Sequence, residues 1–272
     1  MRLRGMSMHV LALAWLLLSG APFYFMAQTG FKERYEMLSG SIWGLPAHPT
    51  LDNLRAVLSG RFGTLFLHSV VVVAISVALV LLVGAMAAYV FARLRFRLSR
   101  TLFSLVVAGL VVPTHVTLIP IYLLMTSTGL YDTIWALVGP YVAFSVPVTV
   151  FILTDFMRQI PRELEESARI DGCGPIGIFF RLILPLSRPA LATLAIFNAV
   201  AFWNEFVFAF VLTASPSSRT LPLGVWDFQG QYATNVPVIM AMLTLSTFPI
   251  IAVYVAASER VQSGMLAGAV KG

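Results

Sequence analysis

Long apolar stretches separated by short polar ones set the pattern of this chain. Six of them, at roughly 8–27, 68–92, 102–125, 133–154, 189–213 and 236–257, are long enough to cross a bilayer. Each lies near or above the ~20 residues a helix needs to span ~30 Å of hydrocarbon. In lipid the backbone must pair internally, which leaves helices or closed barrels. Val70-Val71-Val72-Val73-Ala74-Ile75 shows no alternation of period two, so a barrel is disfavoured. The pattern predicts an all-α, polytopic membrane protein with six transmembrane helices. Prolines punctuate the spans at Pro113, Pro120, Pro140, Pro147 and Pro249, each removing a backbone donor.

The segment at about 28–67 is too long for a turn. Pro49-Thr50-Leu51-Asp52-Asn53-Leu54 reads as a helix start with Asp52 or Thr50 as N-cap, and Gly60 suits its end. Leu51, Leu54, Val57 and Leu58 fall at helical spacing, which predicts a short amphipathic helix on the outer face. It braces the bundle or docks an external partner; both readings stand.

Composition agrees with the spans. Only 11% of the 272 residues are charged, 58% are apolar and the mean hydropathy is +0.87, which excludes a water-soluble globule. The net charge of +6 has a topological cause. Arg2, Arg4, Arg93, Arg95, Arg97, Arg100, Arg158, Arg162, Arg169, Arg181, Arg188, Arg260 and Lys271, 13 of the 18 basic residues, fall on one side of the predicted membrane. Lys32, Arg34, Arg55, Arg61 and Arg219 fall on the other. Basic loops are retained in the cytoplasm, so both termini are expected there, and nucleic acid is not an expected partner. The first apolar run is longer than a usual signal core and lacks a nearby small-x-small cleavage site, so an uncleaved anchor is expected.

Reactive chemistry is absent from the pattern. His9, His48, His68 and His115 are scattered, and no G-x-S-x-G motif occurs. Cys173 is the single cysteine, which excludes an intrachain disulfide and any multi-cysteine metal site. Neither lysine, Lys32 or Lys271, follows a glycine, so no phosphate-cradling P-loop exists. No catalytic residue, metal or cofactor is expected in this chain, and transport driven by ATP would need another subunit to bind it.

The loop after the fourth run is the most informative segment. From Arg158 it reads through Pro161-Arg162-Glu163-Leu164-Glu165-Glu166-Ser167-Ala168-Arg169-Ile170-Asp171-Gly172. Proline in a first turn and acids next to a helix N-terminus predict a short helix, and Gly172 can end it in the left-handed conformation. Isolated helices of about ten residues are marginal, so its own bundle or a partner's groove must hold it.

Glu166-Ser167-Ala168, with Gly172 six positions after the glutamate and Leu182-Ile183-Leu184-Pro185 after nine more residues, resembles the EAA loop of ABC importer permeases. Ser167 replaces the usual middle alanine and Leu182 the isoleucine. Pro49-Thr50-Leu51-Asp52-Asn53, Trp203-Asn204-Glu205-Phe206, Phe228-Gln229-Gly230-Gln231-Tyr232 and Gly268-Ala269-Val270-Lys271-Gly272 are similar to the carbohydrate-importer branch, in particular its smaller six-span permeases of the maltose type. Glu259 stands where the family resembled often carries glutamine. The resemblance implies a type I ABC importer permease fold: residues 1–272 form one transmembrane domain, with a peripheral first span at 1–28, a core at 65–258 and a cytoplasmic coupling loop at 158–187. It also implies that Glu165, Glu166, Ser167, Ala168, Asp171, Gly172, Leu184 and Pro185 couple the spans to a cytoplasmic ATPase. Glu166 would supply a charge-assisted contact, Ala168 the close approach and Gly172 the turn. Implied partners are a second homologous permease, two ABC ATPase subunits carrying ATP and Mg, an external solute-binding protein and membrane lipid.

Glu205 lies deep in the fifth run, where an ionisable group usually faces a cavity or a partner. Asn198, Trp203 and Asn204 lie close to it in sequence, and polar groups beside an aromatic are what a sugar would meet. Bracing of the bundle and contact with substrate both fit. The expected function is passage of a carbohydrate into the cytoplasm. The alternatives are a secondary carrier, driven by an ion gradient with Glu205 as its titrating group, and a membrane scaffold without transport.

Overall fold

The computed structural model describes residues 2–232 and 234–269. Val270, Lys271 and Gly272 of the C-terminal motif lie outside the described residues, as do the side chains of Arg2, Arg4, Glu259 and Arg260. In chain order the helices are α1 Arg2–Gly30, α2 Arg34–Ser39, α3 Asp52–Ser59, α4 Phe62–Arg93, α5 Ser99–Ala108, α6 Leu118–Ser127 and α7 Trp135–Arg158. There follow α8 Glu163–Ile170, α9 Pro175–Ile178, α10 Leu184–Leu186, α11 Arg188–Trp203, α12 Val207–Leu212, α13 Leu221–Gln231 and α14 Val236–Ala269. Among the described residues there is no strand.

The six apolar runs are essentially helical, but they are not six straight rods. Met8–Gly30, α4 and α7 are each long and apolar enough to cross alone. The third run breaks: Ser99–Val111 and Thr114–Ser127 meet at 92°. Pro113 explains this bend, since it has no N–H and forces Val112 into extended backbone (ψ 116°). Pro140 and Pro147, by contrast, sit inside an unbroken α7. The fifth run also breaks, between Trp203 and Val207, where no proline stands; at its other end α11 meets Pro175–Leu186 at 73°. With each bent pair taken as one span, the count among the described residues reaches five. The sixth run lies in α14, which is apolar over Val236–Ala252 and continues as helix to Ala269.

The chain divides into two compact units. The first holds residues 1–66 and 221–249. From Met8 to Leu18 the side chains of α1 are exposed, and only its end is packed. There Asn53 of α3 donates to the carbonyls of Gly30 (3.0 Å) and Lys32 (2.8 Å), which the end of α1 leaves unpaired. Buried Lys32 gives its Nζ to the Ser41 carbonyl (2.8 Å). These bonds correct the expected orientation of α3: Asn53 and Val57 face inward, whereas Leu51 and Leu58 are exposed. Asp52 opens the helix rather than capping it, and the Thr50 hydroxyl accepts its N–H at 3.1 Å.

The second unit holds residues 67–220 and 250–272. Its core joins Ala85, Ala88, Tyr89 and Ala92 of α4 to Leu153 and Met157 of α7, Ile178 and Phe179, Ile183, and Ala190 and Leu194 of α11. Small residues let the backbones approach. At Gly84 even a methyl group would lie 2.5 Å from Thr149 Cγ2 of α7.

Asp132 clips two loops together. Its N–H donates to the Leu212 carbonyl (2.9 Å), and its carboxylate accepts the N–H groups of Ala214 (2.8 Å) and Ser215 (2.7 Å) and the hydroxyls of Ser215 and Ser218. The residue takes φ 61°, a left-handed conformation that aspartate tolerates better than most residues. The Ser215 and Ser218 hydroxyls, then the two amides, hold its carboxyl well below the ordinary 3.8, against the opposing effect of burial. A carboxyl depressed on folding contributes stability that is present above its unfolded value and lost as pH falls through its folded one. The clip is therefore expected to survive acidification from about pH 7 to about pH 5 without loss of thermal midpoint. Asp132→Asn, which removes the charge at any pH, should lower that midpoint by several degrees in detergent.

Candidate functional site

The arginine-rich end of the second unit carries a helix held on one side only. Three acids open α8, Glu163, Glu165 and Glu166, where the helix dipole favours them. They do not share one environment. Glu165 is buried and pairs with Arg93 at the end of α4, Nε to Oε1 at 2.7 Å, with side-chain exposures of 7% and 2%. Arg93 also donates to the Ile160 carbonyl at 2.7 Å, so one guanidinium ties α4 to both ends of the α7–α8 turn. Ala168 and Cys173 pack on the core, fixing the same side of the helix. Glu166, Ser167, Asp171 and Gly172 face outward, with Leu164 and Ile170 (87% exposed) beside them.

The end of α8 follows from Gly172, at φ +84°. Its N–H donates to the Arg169 carbonyl (3.0 Å) and that of Cys173 to the Ala168 carbonyl (2.9 Å), the paired bonds that close a helix around a left-handed residue. The chain then re-enters helix at Pro175, opens into a π turn over Phe179–Ile183 and returns to α-helix at Leu184. Pro185 accounts for the looser turn: it cannot donate to the carbonyl four residues back, and its ring would crowd that carbonyl. Leu184 and Pro185 are half-buried, Leu184 against the core.

A second feature lies where the two broken runs meet. A cavity of about 210 Å³ is bordered by Thr114 and His115 after the first break, by Tyr141 and Ser145 of α7, and by Phe202, Glu205 and Phe208 around the second break. Glu205 explains how the chain breaks without proline. Its carboxylate accepts the N–H groups of Phe208 (2.8 Å) and Ala209 (3.2 Å), two donors that the start of α12 leaves free. The Tyr141 hydroxyl donates to the same carboxylate at 2.8 Å, and the Tyr141 ring stacks on Phe202 with centroids 5.0 Å apart. Glu205 thus replaces, in an apolar setting, the backbone partners lost at the break.

Only Glu205 of the four residues expected along a substrate path borders this cavity. Asn198 is buried within α11 and bonds its own turn at the Leu194 carbonyl (2.8 Å). Asn204 is exposed and bonds the Val200 carbonyl (2.8 Å), and Trp203 is buried away from the cavity lining. The reading from sequence missed Arg93, Tyr141, His115 and Asp132. A signal existed for Arg93: it follows Tyr89 by four residues, on the helix face of Ala85, Ala88 and Ala92 that reads as buried. Among the described residues no cluster of three or more potential metal ligands occurs.

Removing one partner of a buried ion pair costs roughly 3–5 kcal/mol, whereas replacing both by apolar groups is often neutral. Arg93→Ala is therefore expected to release α8, seen as faster amide exchange at residues 163–172. Arg93→Met combined with Glu165→Leu should restore most of the protection.

Comparison with known proteins follows from this geometry. Residues 80–266 match the family described as "Binding-protein-dependent transport system inner membrane component". The "Putative ABC transporter permease protein ORF2" of Caldicellulosiruptor sp. (strain Rt8B.4) is 52% identical over 258 residues, 95% of this chain and 94% of its own length. The "Sulfoquinovosyl glycerol transport system permease protein SmoH" of Agrobacterium fabrum (strain C58 / ATCC 33970) is 36% identical over 270 residues, 98% of this chain and 95% of its own. Among solved structures, a chain of a bacterial ABC transporter involved in the import of the acidic polysaccharide alginate superposes with a TM-score of 0.79. It covers 95% of this chain and 96% of that one at 23% identity, a likeness of fold.

Proposed function

Because the chain belongs to the family of binding-protein-dependent transport system inner membrane components, with the fold of a type I ABC importer permease, we propose that it is the permease subunit of an ATP-driven carbohydrate importer. The solute class is that of its relative SmoH, a sugar derivative, and extends to oligosaccharides and polyols. The single observation that carries the mechanism is the half-docked α8. Glu165 and Ala168 hold it to its own subunit, while Glu166, Ser167, Leu164 and Ile170 are left for a neighbour.

In this reading the neighbour is one of two cytoplasmic ATPases, which bind the ATP and Mg that this chain has no motif to hold. Glu166 supplies the charge-assisted contact, and Asp171 and Gly172 end the helix at its rim. Movement of the ATPase passes through the Arg93–Glu165 pair to α4, and through Leu184-Pro185 to α11. A second homologous permease completes the pathway. Both termini face the cytoplasm, and the external solute-binding protein docks on the segment 28–67, where Leu51 and Leu58 are exposed, and on the loop 214–235. The first span remains peripheral to the core, consistent with its exposed side chains from Met8 to Leu18.

Glu205 braces the break in this scheme. An ion-driven carrier would need that carboxylate free to exchange protons, yet three donors already occupy it. Glu205→Gln keeps one accepting oxygen where donors meet both, so it is expected to lower the thermal midpoint while leaving solute preference unchanged; altered solute preference would return it to the substrate path.

Glu166→Ala and Gly172→Asp should abolish uptake by the assembled transporter while the protein stays inserted in the membrane. Co-purification of the ATPase should fall with Glu166→Ala. Normal uptake by both variants would remove the coupling assignment.

A further inference from the structure

A second cavity, of about 640 Å³, opens beside the coupling helix where α4 ends and α5 begins. Its charged lining is wholly basic: Arg93, Arg95, Arg97, Arg100, Arg158 and Arg162, with no carboxylate. Arg93 is committed to Glu165. The other five are exposed and, among the described residues, none makes an ion pair, although Arg158 lies over the Phe103 ring at 5.5 Å. Positive-inside retention accounts for arginines near the ends of spans, but it does not require them to converge on one cavity. So many guanidiniums around one space repel each other unless an anion joins them, and their planar forks match a phosphate. The uncapped first turn of α5, which has no acidic residue, contributes Ser99 and Arg100 to the wall and adds positive potential.

The surroundings distinguish one anion from another. Leu94, Phe96 and Leu98 are exposed in the same turn and Leu102 in α5, and the cavity lies at the ends of two spans, Arg93 closing α4 and Arg158 closing α7. A free phosphate has no use for such an apolar shoulder. An anionic phospholipid presents its phosphate to the arginines and its acyl chains to the leucines. We propose that this cavity is a binding site for the phosphate headgroup of an anionic phospholipid. The headgroup bridges the α4–α5 turn to Arg162 at the start of the coupling helix, so leaflet composition acts on the helix directly. The assignment goes beyond the importer reading and does not need it, because the site lies within this chain.

The assembled transporter, purified and delipidated in detergent, is mixed with dioleoyl phosphatidylglycerol or dioleoyl phosphatidylcholine, and bound lipid is counted by native mass spectrometry. Wild type is expected to retain phosphatidylglycerol about fivefold better than phosphatidylcholine, and R97Q/R100Q to lose that preference. R97K/R100K keeps the topogenic charge, so it inserts normally, and is expected to retain about half the preference. Equal retention of the two lipids by wild type, or wild-type retention by both variants, overturns the proposal. Full displacement of phosphatidylglycerol by millimolar inorganic phosphate would identify a free-phosphate site instead. Loss of the ATPase from R97Q/R100Q in lipid-free detergent would make the patch a protein contact and also overturns it.

Discussion

One buried ion pair organises the arginine-rich end of this protein. Charges taken out of water hold their place only when both are present and their remaining donors are occupied. Arg93 has Glu165 as its counter-charge at 2.7 Å and also donates to the Ile160 carbonyl. The pair fixes which side of a short helix faces inward. An eight-residue helix has too little internal bonding to persist alone, so the pair, Ala168 and the Gly172 cap give α8 a fixed position. The exposed acid beside it is then a presented group rather than one acid among three.

The same economy of backbone partners governs the membrane part. Two apolar runs break, and each break frees donors that hydrocarbon cannot satisfy. At Pro113 the missing N–H removes one of the demands. Between Trp203 and Val207 the side chains take over: the Glu205 carboxylate accepts two amides, and the Asn204 amide bonds the turn before. A half-buried carboxylate in such a setting is a substitute for missing helix, and the Tyr141 hydroxyl is its third donor. The cavity beside it exists because both interrupted runs leave space there.

Much of this was legible in the residues. Hydropathy placed the six apolar runs, and the proline, acids and glycine from Pro161 to Gly172 located the short helix α8 and its left-handed end. The burial of Glu165 was not legible, because three acids within four positions look alike until a partner from sequence position 93 is folded against one of them. The break at Glu205 escaped for a related reason. Proline announces itself in a span, whereas a carboxylate that replaces backbone partners looks the same as one awaiting a ligand. Leu51 and Leu58 misled in the opposite direction: they have helical spacing, but two unpaired carbonyls at the end of α1 drew Asn53 inward instead.

The π turn before Pro185 has a geometric effect that outlasts its five residues. Widening one turn amounts to inserting a residue into the ladder, which rotates everything on one side of it by about 100° relative to the other. Phe180 and Ile176, both open to the surroundings, owe their heading to that offset. A ring that cannot donate a single hydrogen thereby sets the angular phase between the loop after α8 and the rod it joins.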